Sequence, residues 1–321
     1  MTKERPRRNL AEHPNRSLSD LWVFRKIMDR TRGKYWFCEN NLDEQLPSFT
    51  TVLSKAYQVK PELDSQGDYY FINQIDFGGL SYLKTRIRTL KKGVAGGPTI
   101  IVIPGYGSVS QLVTTPYLTA LEGLDDCRVL GIEVFHGLSE VDRVKVGSSV
   151  QNLQMAFASA MVACDYAVRM AHSQSSPVLV LGQSFGAKAI NAMLNMVGSS
   201  VPFDLAEAYV AIEGGRFDQT FTGPAYLRHM VDPGIVNHPA IANGSVFPDQ
   251  APTLPIHPGT HVTAVINPQD DVALGQTSCW AGTDKTLEIK GLKSRSHLTA
   301  PMINVFKIRR VIADAMQNLR A

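Results

Sequence analysis

Residues Pro177-Val178-Leu179-Val180-Leu181-Gly182-Gln183-Ser184-Phe185-Gly186 run from a continuous apolar stretch directly into a glycine-flanked turn. An apolar run without a polar face suits a strand covered on both sides of its sheet. Beyond the turn, Ile190, Met193, Leu194 and Val197 recur at helical steps, with Gly198 as a stop. The spacing therefore predicts a strand, a sharp turn and a helix in immediate succession. Small residues two before and two after Ser184 would let strand and helix cross closely. The turn would also hold the serine in strained backbone geometry at the head of a helix, where developing negative charge is favoured.

The same grammar extends outward in both directions. Thr99 to Ile103 and Val129 to Val134 are further buried-type strands, and Ala208 to Ile212, His261 to Ile266 and Thr286 to Lys290 are candidates beyond the turn. Between them, Val150, Leu153, Phe157, Met161, Cys164, Val168 and Ala171 mark a long helix, and another is expected from about Met302 to Leu319. Upstream, Leu83, Thr85 and Ile87 alternate with Lys84, Arg86 and Arg88, as in a half-exposed strand. Gly78-Gly79 before it marks a hairpin, so two antiparallel strands should open the sheet. Alternating strands and helices point to one doubly wound, mainly parallel α/β sheet. We divide the chain into an N-terminal extension over 1–65, with a short helical candidate around Asp20 to Asp29, and a main domain over 66–321.

Composition narrows the class. The chain has 321 residues, 44% of them hydrophobic, and a net charge of +3. That balance suits a globular protein with a sizeable core and makes no case for nucleic acid. No apolar stretch approaches the roughly 20 residues a membrane helix needs. The basic N-terminus lacks a following apolar region, so a cytoplasmic setting is the expectation. Cys38, Cys127, Cys164 and Cys279 are scattered, without metal-binding spacing, and are expected to be reduced. No metal or other cofactor is expected.

A serine hydroxyl is a weak nucleophile at neutral pH and needs a base oriented by an acid. His297 follows the last expected strand and is alone among eight histidines in that final loop. Asn267-Pro268-Gln269-Asp270-Asp271 follows the strand His261 to Ile266, and Asp270 is the preferred acid. Asp271, and Glu213 just beyond the preceding strand, are the alternatives. An oxyanion would need two backbone donors. Phe185, next to the serine, and Tyr106, in the Pro104-Gly105-Tyr106-Gly107 turn, are placed to supply them.

Taken in order, Pro104-Gly105-Tyr106-Gly107, Phe135-His136-Gly137-Leu138-Ser139, the Ser184 turn, Asp270 and His297 resemble the α/β-hydrolase superfamily over roughly Asp68 to the C-terminus. The departures are Pro104 before the oxyanion glycine, Phe135 for the first glycine of the G-H-G-x-S turn, Ala187 after the serine turn, and Asn267 before the acid loop. They argue against a close subfamily. The resemblance implies a Ser184-Asp270-His297 triad with Tyr106 and Phe185 as the oxyanion hole. It also implies a serine hydrolase that cleaves a carboxylic ester or thioester through an acyl-enzyme. Acyl transfer, C–C bond cleavage, or a non-catalytic ligand-binding role on the same scaffold are the alternatives. Residues 214–257, with Phe217, Phe221, Tyr226, Leu227 and Met230, stand where a cap is expected, and their apolar character would suit a hydrophobic acyl substrate. Oligomeric state has no signature in the sequence.

Overall fold

The computed structural model describes residues 47–77, 80–105, 116–119, 121, 123–138, 150–196, 203–215, 259–270, 276–289 and 299–320. Helix α1 (Phe49–Tyr57) starts at Ser48, whose hydroxyl accepts the Thr51 N–H at 3.3 Å, as an N-cap does. It is followed by strands β1 (Glu62–Leu63), β2 (Tyr69–Phe77), β3 (Leu80–Lys92), β4 (Thr99–Ile103) and β5 (Arg128–Glu133). Helix α2 (Val150–His172) leads to β6 (Val178–Gln183), α3 (Phe185–Asn195), β7 (Ala208–Ile212) and β8 (His261–Ile266). The chain continues through α4 (Gln276–Cys279), β9 (Lys285–Glu288), α5 (Thr299–Ile303) and α6 (Val305–Arg320).

The strands described form one sheet in the order β1-β2-β3-β5-β4-β6-β7-β8-β9. The pairs β1–β2, β2–β3 and β3–β5 are antiparallel, and every pair from β5 through β4 to β9 is parallel. The expected antiparallel opening strands and parallel core are both present, and Gly78-Gly79 lie outside the described residues. In β3, Leu83, Thr85 and Ile87 are buried while Lys84, Arg86 and Arg88 are half-exposed, the alternation expected of it. Helix α1 lies where no helix is expected, and two further elements differ in their bounds. The last strand covers Lys285–Glu288, earlier than Thr286 to Lys290. The final helix is two, broken at Asn304, whose Nδ2 donates to the Ala300 carbonyl at 2.8 Å.

Both faces of the parallel strands are buried, by different helices. On one face Ile101, Ile103, Val180, Tyr209, Ala211 and Ala264 pack under α2 and α3. On the other Ile100, Val102, Leu179, Leu181, Val210 and Val265 pack under Tyr117, Leu118 and α6. Helix α2 lies between the sheet and α1, which explains why Ala156, Ala160 and Ala163 are buried along with the larger apolar side chains. This is the doubly wound α/β-hydrolase architecture. Its parallel strands all deliver their carboxyl ends to one edge, where sheets of this kind place their ligands. Among the described residues, no helix is long and apolar enough to cross a membrane.

Cys127, Cys164 and Cys279 are buried free thiols. Burial, followed by the neighbouring Asp126 carboxylate, pushes the Cys127 thiol up to about 11, and burial raises Cys164 as well. A thiol held protonated and out of solvent is inert. Iodoacetamide at mildly alkaline pH should therefore leave these three cysteines unmodified in the folded protein and alkylate all three in denaturant. Peptide mapping reads this, and alkylation of the native protein at the rate of a free thiol would contradict it.

Candidate active site

Strand β6 turns into α3 at a single residue. Ser184 has φ 52 and ψ −107, a left-sided backbone conformation that a side chain with a Cβ rarely adopts. Its N–H donates to the Ile212 carbonyl at 2.8 Å, so the residue is still tied to β7 while its carbonyl already accepts from Lys188 N–H at 3.0 Å within the helix. Two glycines make this turn possible. A Cβ on Gly186 would lie 2.0 Å from the Ile103 carbonyl oxygen, and one on Gly182 would lie 2.6 Å from the Gly186 backbone. Helix α3 therefore crosses the end of β4 at a distance that only glycine allows. Ser184 itself is partly exposed at the carboxyl edge of the sheet, at the positive end of a helix.

The neighbouring strand ends carry two buried carboxylates. Gln183 pairs with Ile212, and Ile212 with Val265, so β7 and β8 end beside Ser184. Glu213, next after β7, is 0% exposed and has φ 53, the same unusual sign as Ser184. Its N–H donates to the Val265 carbonyl at 2.8 Å, and its Oε1 accepts from Asn267 Nδ2 at 3.4 Å. Asp270 is 3% exposed and lies in the turn after β8. That turn is closed by Asp270 N–H donating to the Asn267 carbonyl at 3.1 Å and Gln269 N–H donating to Asn267 Oδ1 at 3.2 Å. Asn267 is thus an Asx-turn residue, which accounts for asparagine where a glycine is often found. Gln276 Nε2 donates to Asp270 Oδ2 at 2.8 Å. Neither Gln276 nor the role of Asn267 was anticipated from sequence, although an asparagine two residues before a turn is a legible signal.

The segment after Gln276 is wedged against the serine helix. Trp280 Nε1 donates to the Gly214 carbonyl at 2.6 Å, and Asn191 Nδ2 of α3 donates to the Cys279 carbonyl at 3.3 Å. A Cβ on Gly214 would lie 2.7 Å from the Ala187 methyl, so the missing side chain at 214 makes room for alanine at 187. Beneath the serine turn, the Phe185 ring lies 4.1 Å from Phe157 and 6.4 Å from Phe135, centroid to centroid. Phe185 packs in the core, while its N–H belongs to the first turn of α3, where helix donors point outward.

Two further groups at this edge have shifted acidities. Burial, with the Glu213 carboxylate adding to it, pushes the Tyr117 phenol upward, so it stays protonated. Burial, then the Arg86 guanidinium, pulls the His136 imidazole below its usual value against the opposing Glu133 carboxylate. Gly137 beside it has φ 81, which explains glycine within the Phe135 to Ser139 turn. Of the other expected site residues, His297, Tyr106 and Asp271 lie outside the described residues. So do the helical candidate around Asp20 to Asp29 and all of the expected cap except Gly214 and Gly215.

The close crossing has a direct test. Gly186→Ala must displace backbone rather than a flexible side chain, so it should destabilise the fold by about 3 kcal/mol or more. Urea unfolding measures this, and a loss near zero would contradict the crossing distance.

No family model matches the chain, and no curated protein matches it. Similar solved structures include brefeldin A esterase, a bacterial homologue of human hormone-sensitive lipase. It is 12% identical, with 96% of this chain and 95% of that one covered at a TM-score of 0.46. Acetyl xylan esterase 1 from Thermoanaerobacterium sp. JW/SL YS485 is 12% identical, with 88% and 95% covered at 0.45. Est1E from Butyrivibrio proteoclasticus is 11% identical, with 77% and 99% covered at 0.41. The chain's α/β-hydrolase fold rests on its own strand order and helix placement.

Proposed function

We propose that the protein is a serine hydrolase that cleaves a carboxylic ester or thioester, with Ser184 as nucleophile. The observation that carries this reading is the backbone of Ser184. The crossing between two glycines imposes a positive φ at this position, and a residue with a Cβ there is strain that the fold alone does not require. A structural turn at this point could end in glycine and avoid the cost.

The chemistry follows from the residues. Ser184 Oγ attacks the carbonyl carbon while His297 takes its proton, and Asp270 holds the histidine in the tautomer that accepts it. The carbonyl oxygen becomes an oxyanion, and the N–H groups of Phe185 and Tyr106 stabilise it. Collapse of the tetrahedral species expels the alcohol or thiol, which leaves with the proton from His297. Water then attacks the acyl-enzyme, giving its proton to His297 in turn, and the acid is released with Ser184 restored. The apolar residues within 214–257, where a cap is expected from sequence, would suit a hydrophobic acyl group. We place this chemistry in the cytoplasm, with a small molecule as partner and neither metal nor organic cofactor in the cycle.

One structural feature favours a second assignment of the acid. Glu213 is the more deeply buried carboxylate and shares the positive φ of Ser184 on the adjacent strand end. Asp270 remains the preferred acid: the amide donor on its carboxylate, Gln276 Nε2, is at 2.8 Å, against 3.4 Å for Asn267 Nδ2 on Glu213.

A fluorophosphonate probe should label wild type once, at Ser184, and leave Ser184→Ala unlabelled, as read by intact mass. His297→Ala should slow labelling by several orders of magnitude, and Asp270→Asn on the order of 10⁴-fold. Glu213→Gln should be much milder. A larger loss for Glu213→Gln than for Asp270→Asn would transfer the acid to Glu213, and labelling of Ser184→Ala would remove Ser184 as nucleophile.

A further inference from the structure

Asp270 is held by more than its own turn. Gln276 uses both ends of one side-chain amide: Nε2 donates to Asp270 Oδ2 at 2.8 Å, and Oε1 accepts the Asn267 N–H at 2.8 Å. Gln276 is 2% exposed, Asn267 1% and Asp270 3%, so these bonds form away from solvent. The network admits one orientation of the amide. Turning it over would set its oxygen against the carboxylate and its NH2 against the Asn267 N–H.

The amide is also rigidly mounted. The Gln276 carbonyl accepts from Trp280 N–H at 3.1 Å, and Trp280 is bonded to Gly214. The Cys279 carbonyl is bonded to Asn191 on the serine helix. Through these contacts the donor on Asp270 is referenced to the same helix that carries Ser184 at its head.

We propose that Gln276 is a positioning residue for catalysis: a buried, neutral amide that fixes the orientation of the Asp270 carboxylate relative to Ser184. The inference rests on the reading of Ser184, His297 and Asp270 as a triad. Its chemical logic lies in the neutrality of the donor. An arginine or lysine in this place would pair with the carboxylate and compete with the histidinium that forms during reaction. A glutamine satisfies the buried oxygen and leaves the negative charge to act on the histidine. The other carboxylate tied into this network is Glu213, through Asn267 Nδ2.

The test compares Gln276→Leu and Gln276→Glu with wild type. It measures fluorophosphonate labelling rates and p-nitrophenyl butyrate hydrolysis over a pH series, with thermal melting to establish folding. Gln276→Leu removes both bonds and should lower kcat about 10- to 100-fold with KM nearly unchanged, since a hydrogen bond to a charged group is lost. In Gln276→Glu the new carboxyl faces Asp270 and the two share a proton. The protonated pair keeps both bonds, O–H to Asp270 and C=O to the Asn267 N–H. Its activity relative to wild type should therefore be high at the acid end and fall as pH rises and the pair becomes doubly charged. The relative activity of Gln276→Leu should be flat with pH.

An unchanged kcat in folded Gln276→Leu, or a pH-independent ratio for Gln276→Glu, would overturn the proposal. If Gln276→Leu does not fold, the profile of Gln276→Glu decides. Failure of the triad reading looks different: wild type unlabelled at Ser184, or Asp270→Asn labelled as fast as wild type. Labelled wild type, slow Asp270→Asn and fast Gln276→Leu would sink the role of Gln276 alone.

Discussion

Helix α3 passes so close to the end of β4 that a Cβ on Gly186 would sit 2.0 Å from the Ile103 carbonyl oxygen. That approach governs the rest of the site. To bring the helix in at this distance, β6 must reverse direction within one residue, and Ser184 takes the positive φ that results. The same crossing seats Phe185 in the core against Phe157 and presses Ala187 into the space left by Gly214. One steric constraint thus fixes a serine at the sheet edge, a helix N-terminus behind it, and the packing of the next strand end. The strain of that serine is sustained because buried strands on either side of β6 leave it no alternative path.

Around the serine, polar groups are arranged with equal economy. Glu213, Asn267, Gln276 and Asp270 form a continuous buried chain in which two carboxylates are separated by two neutral amides. Amides can donate to one carboxylate and accept from the backbone at once, so they link charges without adding any. The chain spans the ends of β7 and β8 and is braced against Gly214 through Trp280 and against α3 through Asn191. Orientation of an acid by its surroundings is what a triad requires of a fold, because a carboxylate with freedom to turn stabilises the histidinium less well.

Much of this was legible in the amino acids, for identifiable reasons. The parallel strands were recognisable because burial on both faces leaves continuous apolar runs, and Thr99–Ile103, Ala208–Ile212 and His261–Ile266 have the expected bounds. Helix α1 was missed although Ser48 caps it and Phe49, Val52, Leu53 and Ala56 fall at helical spacing. It is short and lies in a stretch whose polar beginning masks its apolar pattern. The last strand was misplaced at its ends because Lys285–Glu288 has little apolar character as an edge strand. Gln276 could not be found from sequence at all. A glutamine six residues from an aspartate carries no periodic signal, and only the folded turn brings their side chains together.

Hydrolysis by Ser184 requires that it form a covalent acyl-enzyme. Rapid mixing with p-nitrophenyl acetate, acid quenching and mapping of the acetylated peptide test it in one experiment. A burst of about one equivalent of p-nitrophenol is expected, with acetyl found on Ser184. Turnover of the ester with no acetyl on Ser184, or with acetyl on another residue that chases into product, would contradict it.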